Sequence, residues 1–209
     1  MRELKLLFEK NRQWAEEHIK DDPDYFQRLS EGQNPTYLWI GCSDSRIPAN
    51  EVVGLAPGEL FVHRNVANLF IHTDFNCLSV LQYAIDYLQI KHVIVCGHYD
   101  CGGVKAALGD EQLGLVDNWL RNIRDVYARS KDELEAIKDD TLRCNRLVEL
   151  NVIQQVLNIG HTTIVQNGWS RGQKISIHGW LYDLPKGKLI DLKCCVSSPK
   201  QLEEIYLTS

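Results

Sequence analysis

The chain has 209 residues, 44% hydrophobic and 24% charged, enough to bury a core and in the proportions of one globular domain. A formal net charge of −5 leaves no basic surplus to neutralise phosphates, which excludes a general nucleic-acid binder. No apolar run approaches the ~20 residues that span a bilayer, so no membrane association is expected.

From Glu3 to about His18, the residues Leu4, Leu7, Phe8, Trp14, Ala15 and Ile19 form an apolar stripe at helical spacing. The stripe packs either on this domain or on a partner subunit. Because amphipathic helix rather than an apolar signal core follows the first residues, a cytoplasmic location is expected. Asp21-Asp22-Pro23 ends the helix, and Pro23 suits the first turn of another that closes near Ser30. Residues 1–31 therefore read as a helical arm.

Tyr37–Ile40, Leu60–Val62 and His92–Cys96 are short β-favouring runs. Between the last two, the pattern predicts a helix from Asn76 to Leu88 capped by Thr73 or Asp74. The charge-rich Lys131–Asp140 stretch reads as a solvated helix or loop. A long helix is expected from Leu142 to Asn158, ended by Gly160. Ile175–Tyr182 and Leu189–Leu192 are strand-like runs joined by a Pro185-Lys186-Gly187 turn. Apolar strands alternating with helices predict an α/β fold: a mostly parallel central sheet flanked by helices, with an antiparallel edge strand. The core spans 35–196, a short segment follows over 197–209, and no linker divides the chain.

Seven cysteines is an odd count without the spacing of a secreted disulfide framework. Cys77, Cys96, Cys144, Cys194 and Cys195 read as small apolar fillers. Cys42 and Cys101 differ, because each follows a strand directly: Cys42-Ser43-Asp44-Ser45-Arg46 the first, and His98-Tyr99-Asp100-Cys101-Gly102-Gly103 a later one. In an open α/β sheet, ligand sites form beyond the carboxyl ends of strands. Two thiols and an imidazole brought together there suit tetrahedral zinc. Structural zinc has four protein ligands, whereas three leave a position open for water or for Asp44, the arrangement of a catalytic site.

Two thiolates neutralise the dication, so the metal alone is a modest Lewis acid. Lowering the pKa of water from 15.7 to about 7 amounts to roughly 12 kcal/mol. A carboxylate accepting a hydrogen bond from the bound hydroxide would help, and Asp44 is placed for this. Arg46 can hold Asp44 as a bidentate partner and keep it off the metal.

Through C-x-D-x-R at Cys42–Arg46, H-x-x-C at His98–Cys101 and the stretch Phe61–Asn68, the chain resembles the β class of carbonic anhydrases. The resemblance runs from the first helix to about Tyr182. It implies one zinc ion per chain, held by Cys42, His98 and Cys101, and reversible hydration of carbon dioxide with zinc hydroxide as nucleophile. By position, Gln33, Phe61, Val66, Tyr83, Gly102 and Gly103 match the substrate pocket. Relatives assemble as homodimers or as dimer-of-dimers tetramers. Trp39, Arg64 and Tyr182 match the pocket of a bacterial subset in which bicarbonate favours a closed state, with Asp44 as fourth zinc ligand; activity then rises on alkalinisation. The competing readings are a phosphate- or nucleotide-binding domain, suggested by the strand, Gly-rich turn and helix from Val95 to Ala107 but lacking G-x-G-x-x-G or G-K-[ST], a non-catalytic bicarbonate sensor, and a related small substrate such as carbon disulfide or carbonyl sulfide.

Overall fold

The computed structural model describes residues 2–202. Five strands form one sheet: β1 (Tyr37–Cys42), β2 (Leu60–Asn65), β3 (His92–His98), β4 (Ser176–Asp183) and β5 (Lys188–Asp191). Their order is β2-β1-β3-β4-β5, with the first four parallel and β5 antiparallel to β4. This is the sheet that the sequence predicts, antiparallel edge included. β1 and β3 are buried along almost their whole length, so both need continuous apolar runs. β4 alternates: Ile177, Gly179, Leu181 and Asp183 are buried while His178, Trp180 and Tyr182 are half-covered.

Nine helices surround the sheet among the described residues: α1 (Arg2–Asp21), α2 (Tyr25–Ser30), α3 (Ala49–Val53), α4 (Phe75–Gln82), α5 (Gly102–Leu108), α6 (Val116–Arg129), α7 (Lys131–Ala136), α8 (Asp140–Gly160) and α9 (Thr163–Ser170). α8 lies across β3 and β4, with α5 and α6 against it. None is long and apolar enough to cross a membrane. α1 packs on α2 through Trp14, His18, Tyr25 and Phe26, leaving Leu4, Leu7 and Phe8 exposed.

Several expectations need correction. The helix expected over 76–88 is two pieces, because Tyr83–Tyr87 is a π-helical turn. There Leu88 N–H reaches Tyr83 O at 3.0 Å, and Gln89 takes φ +55° to redirect the chain into β3. Asp74 is the cap, accepting from Asn76 N–H at 3.0 Å. α8 begins two residues earlier than expected and ends at Gly160, which is its last helical residue, with His161 as the C-cap. A Cβ at Gly160 would stand 2.6 Å from Leu202 Cδ2, so glycine admits the buried Leu202 onto the helix. The segment expected over 197–209 is thereby anchored to α8, and its residues 203–209 lie outside the described residues. Within Lys131–Asp140, α7 buries Leu134 completely. Cys77, Cys96, Cys144 and Cys194 are buried as expected, but Cys195 is exposed and fills nothing.

Candidate metal centre

The strand order sets the site. From β1 the chain goes to β2 on one side, then crosses to β3 on the other. The carboxyl ends of β1 and β3 thus flank a topological switch point, where open sheets leave a crevice. Cys42 ends β1 and His98 ends β3. Cys101 follows as the N-cap of α5.

The ligating atoms of Cys42, His98 and Cys101 lie within 4.8 Å of one another, and the two sulfurs are 4.0 Å apart. Two thiolates at about 2.3 Å from a tetrahedral zinc stand about 3.8 Å apart. His98 is fully buried. Its Nδ1 donates to Tyr99 O at 2.9 Å; a carbonyl only accepts, so Nδ1 carries the hydrogen and Nε2 presents a lone pair. That Nε2 has no hydrogen-bond partner among the described residues. A buried, orphaned imidazole nitrogen beside two thiols fits zinc.

Backbone N–H groups of Asp44 and Ala67 point at the Cys42 sulfur, and those of Val104 and Gly103 at Cys101. Hydrogen-bond donation from Cys101 pulls the Cys42 thiol below its ordinary value; the same shared proton, with burial, pushes Cys101 up. The pair holds one proton that a dication would displace. Behind His98, Tyr99 OH donates to Glu149 at 2.9 Å, which also accepts from Arg146 at 2.7 Å, so α8 fixes the turn carrying the ligand.

Asp44 is held by Arg46 at both oxygens: Nε to Oδ1 at 2.9 Å, Nη2 to Oδ2 at 2.7 Å, and the Arg46 backbone N–H to Oδ1 at 3.0 Å. This guanidinium holds the carboxyl well below the usual carboxylate range. Asp44 Oδ2 lies 3.8 Å from His98 Nε2, within reach of the metal position. Arg46 Nη1 also donates to Asp100 Oδ2 at 3.3 Å, and Asp100 takes a further bond from Lys105. Arg64 donates to Cys42 O at 2.9 Å and Asp44 O at 2.5 Å. These parts of Asp100, Arg64 and Ala67 were not evident from the sequence; the one available signal was a charged residue inside the H-x-x-C turn.

The other expected site residues are dispersed. Gly103 abuts Val66 and Ala67, where a Cβ would stand 3.1 Å from each side chain, while Gly102 is open. Phe61 and Tyr83 pair, with ring centroids 5.9 Å apart. Phe61 is in register with Leu38, four residues before Cys42, hence about 13 Å along the strand from the metal ligand. Gln33 is exposed between α2 and β1. The structure does not draw Gln33, Phe61 and Tyr83 to the metal ligands of their own chain. Trp39, Arg64 and Tyr182 share a sheet face by register, since Gly41, two residues after Trp39, pairs with Arg64 and Cys96, and Tyr182 pairs with His98 two residues on.

His63, Asp74 and Cys77 also bring ligating atoms within 4.8 Å of one another. Local bonds occupy two of them: Asp74 caps α4, and His63 Nε2 faces Asn65 Nδ2 at 3.3 Å.

The sequence profile of the carbonic anhydrase family matches residues 37–189. A carbonic anhydrase of Emericella nidulans is 50% identical over 186 residues, covering 89% of this chain and 82% of the relative. A tetrameric β-carbonic anhydrase of the filamentous ascomycete Sordaria macrospora superposes with a TM-score of 0.89 at 36% identity, covering 94% of this chain and all of the other. The Coccomyxa β-carbonic anhydrase, solved with acetazolamide, gives a TM-score of 0.90 at 38% identity over 98% of this chain and 96% of that one. The bacterial affinity expected from the motifs finds no support in these matches, two of which are fungal. A matching profile over most of the chain, on a fold that superposes nearly end to end with β-class structures, shows that this chain belongs to the β-class carbonic anhydrases, which are zinc enzymes.

Proposed function

We propose that Cys42, His98 and Cys101 hold one zinc ion per chain and that carbon dioxide and water are interconverted there with bicarbonate and a proton, Asp44 and Arg46 being the working pair. The observation that carries this is the bare, buried Nε2 of His98 facing two thiols beside an Arg-held carboxylate. Zinc in such a site lowers the pKa of water enough to supply a nucleophile near neutral pH. Asp44 keeps acceptor capacity on the metal side, because Arg46 engages its outer edge and keeps it ionised. The open side of Gly102, next to Cys101, leaves room for a small, linear, uncharged substrate, while Gly103 packs against Val66 and Ala67. The test is stopped-flow hydration with zinc analysis on wild type and Cys101→Ser. Wild type is expected to carry one zinc and hydrate carbon dioxide, with both lost in the variant. Fully loaded wild type without hydration would overturn the assignment.

Bicarbonate regulation is the finer reading. The Trp39 indole nitrogen lies over Gly41, where a Cβ would come within 2.3 Å of it, and Arg64 is in register with Gly41. An indole N–H, the Arg64 guanidinium and the Tyr182 phenol thus belong to one face of the sheet, a set of donors suited to an oxyanion. Two Arg64 donors already hold the carbonyls of Cys42 and Asp44. An anion competing for them would loosen the loop that carries Asp44 and free its carboxylate to take the metal. Inhibition of wild type by bicarbonate, abolished in Trp39→Phe, which removes the indole N–H and leaves the Arg64 bonds to the loop in place, is the expected result; an uninhibited wild type sinks this reading.

Assembly completes the site. Gln33 and Tyr83 are exposed and lie with Phe61 away from their own metal ligands, so they serve the pocket of a neighbouring copy in a homodimer or tetramer.

A further inference from the structure

Arg46 faces two carboxylates, and only one belongs to the C-x-D-x-R motif. Its Nε and Nη2 serve Asp44, and its remaining arm, Nη1, reaches Asp100. Asp44 and Arg46 follow Cys42 on the loop after β1, whereas Asp100 lies between His98 and Cys101 on the loop after β3. The guanidinium thus bridges the two ligand-bearing loops. Asp100 is well fixed for such a part: a proposed ligand lies two residues before it, another directly after it, and Lys105 from α5 holds its other oxygen. Its backbone has φ +62°, a left-handed conformation that costs most residues energy and that aspartate tolerates better than most others. Glycine would take that conformation freely, so an aspartate here is retained at a backbone cost.

We propose that Asp100 is a positioning residue, holding the outer arm of Arg46 so that the other two arms stay on Asp44 and the Asp44 carboxylate stays off the metal. This rests on the reading of Asp44 and Arg46 given above. All three side chains outside the metal pocket are about half exposed, so the effect is modest, on the order of two- to five-fold.

Asp100→Gly is the informative variant, because it removes the carboxylate and relieves the left-handed backbone together. A merely structural role would lower its melting temperature; positioning leaves that temperature unchanged or raised. Crystal structures of the zinc-loaded wild type and variant read the pair directly. In the variant, Arg46 should lose its two-arm contact with Asp44 or split between conformers. In hydration assays, kcat should fall about two- to five-fold with KM unchanged, and Asp100→Asn should behave like Asp100→Gly. An intact Asp44–Arg46 pair in the variant, with wild-type kcat, overturns the proposal. If wild type itself fails to hydrate carbon dioxide, the functional assignment falls, and the crystal structures still decide the role of Asp100.

Discussion

A buried imidazole bonded at one nitrogen only is costly, because the unpartnered side has lost its water. His98 is in that position, and the Cys42–Cys101 pair beside it shares one proton and lacks a counter-cation. A bound dication satisfies all three groups, so metal affinity appears as folding stability. At free zinc about 1,000-fold above its dissociation constant, the gain is about 4 kcal/mol. Calorimetric melting with and without a chelator should show the metal-free protein melting lower, and identical melting points would contradict the ligand assignment. The clustering of these three candidate ligands could be read from the sequence because zinc demands particular side chains and both motifs directly follow strands. The parts of Asp100 and Ala67, and the hold of Arg64 on the Cys42 and Asp44 carbonyls, could not, since they depend on backbone conformation or on contacts across loops. Ala67 and Asn68 take φ of +64° and +49°, which nothing in Val-Ala-Asn announces.

α8 clamps that unusual turn with a ladder of buried amides. Asn151 Nδ2 donates to Ala67 O at 3.1 Å, Gln155 Oε1 accepts from Phe70 N–H at 2.9 Å, and Asn158 Nδ2 donates to Phe70 O at 2.9 Å. Gln155 also donates to Asn151 Oδ1 and accepts from Asn158. Gln155→Leu strands several of these groups, so a loss of about 1–3 kcal/mol is expected in urea unfolding; a change under a few tenths would show that the ladder is dispensable. Where β4 passes beneath α8, a Cβ at Gly179 would come within 2.4 Å of Cys194 Sγ and 3.1 Å of Val152 Cγ1. Gly179→Ala should cost about 1–3 kcal/mol by overpacking. The strands were legible because burial on both faces forces unbroken apolar runs. α6 and α9 were not predicted: α6 starts without a capping side chain, and α9 contains Gly168, kept free of a Cβ by Ile175. The π-helical turn was hidden because Tyr83–Tyr87 follows a helical pattern without Gly or Pro.

For the whole molecule, titration sets the acid limit of stability. Burial pushes His63 below the ordinary imidazole value, and burial with the neighbouring His92 does the same to His178. Folded chains then bind fewer protons than unfolded ones below about pH 6.5, so stability is full above that pH and falls as pH drops through it. Asp44 and Asp191 are held low by their partners. Their contribution is present above about pH 4 and is lost as pH falls towards their folded values. Urea midpoints of metal-free protein from pH 8 to 2 should fall in these two stages, and His178→Gln should flatten the first. An unchanged slope in that variant would show that His178 is not responsible. At the same scale, α1 carries an uncovered stripe in which Phe8 is 74% exposed, more apolar surface than a lone helix leaves in water. Phe8→Glu should reduce the assembly size in light scattering, and an unchanged mass would place the interface elsewhere.

The central claim is that Asp44, held by Arg46 beside the Cys42–His98–Cys101 ligands, carries the chemistry. The most direct measurement is stopped-flow hydration of carbon dioxide by zinc-loaded Asp44→Asn beside wild type. With zinc content equal, kcat/KM is predicted to fall at least about 100-fold, the range for losing a positioned acid–base or charge-stabilising group. Wild-type rates in the fully loaded variant would contradict the account.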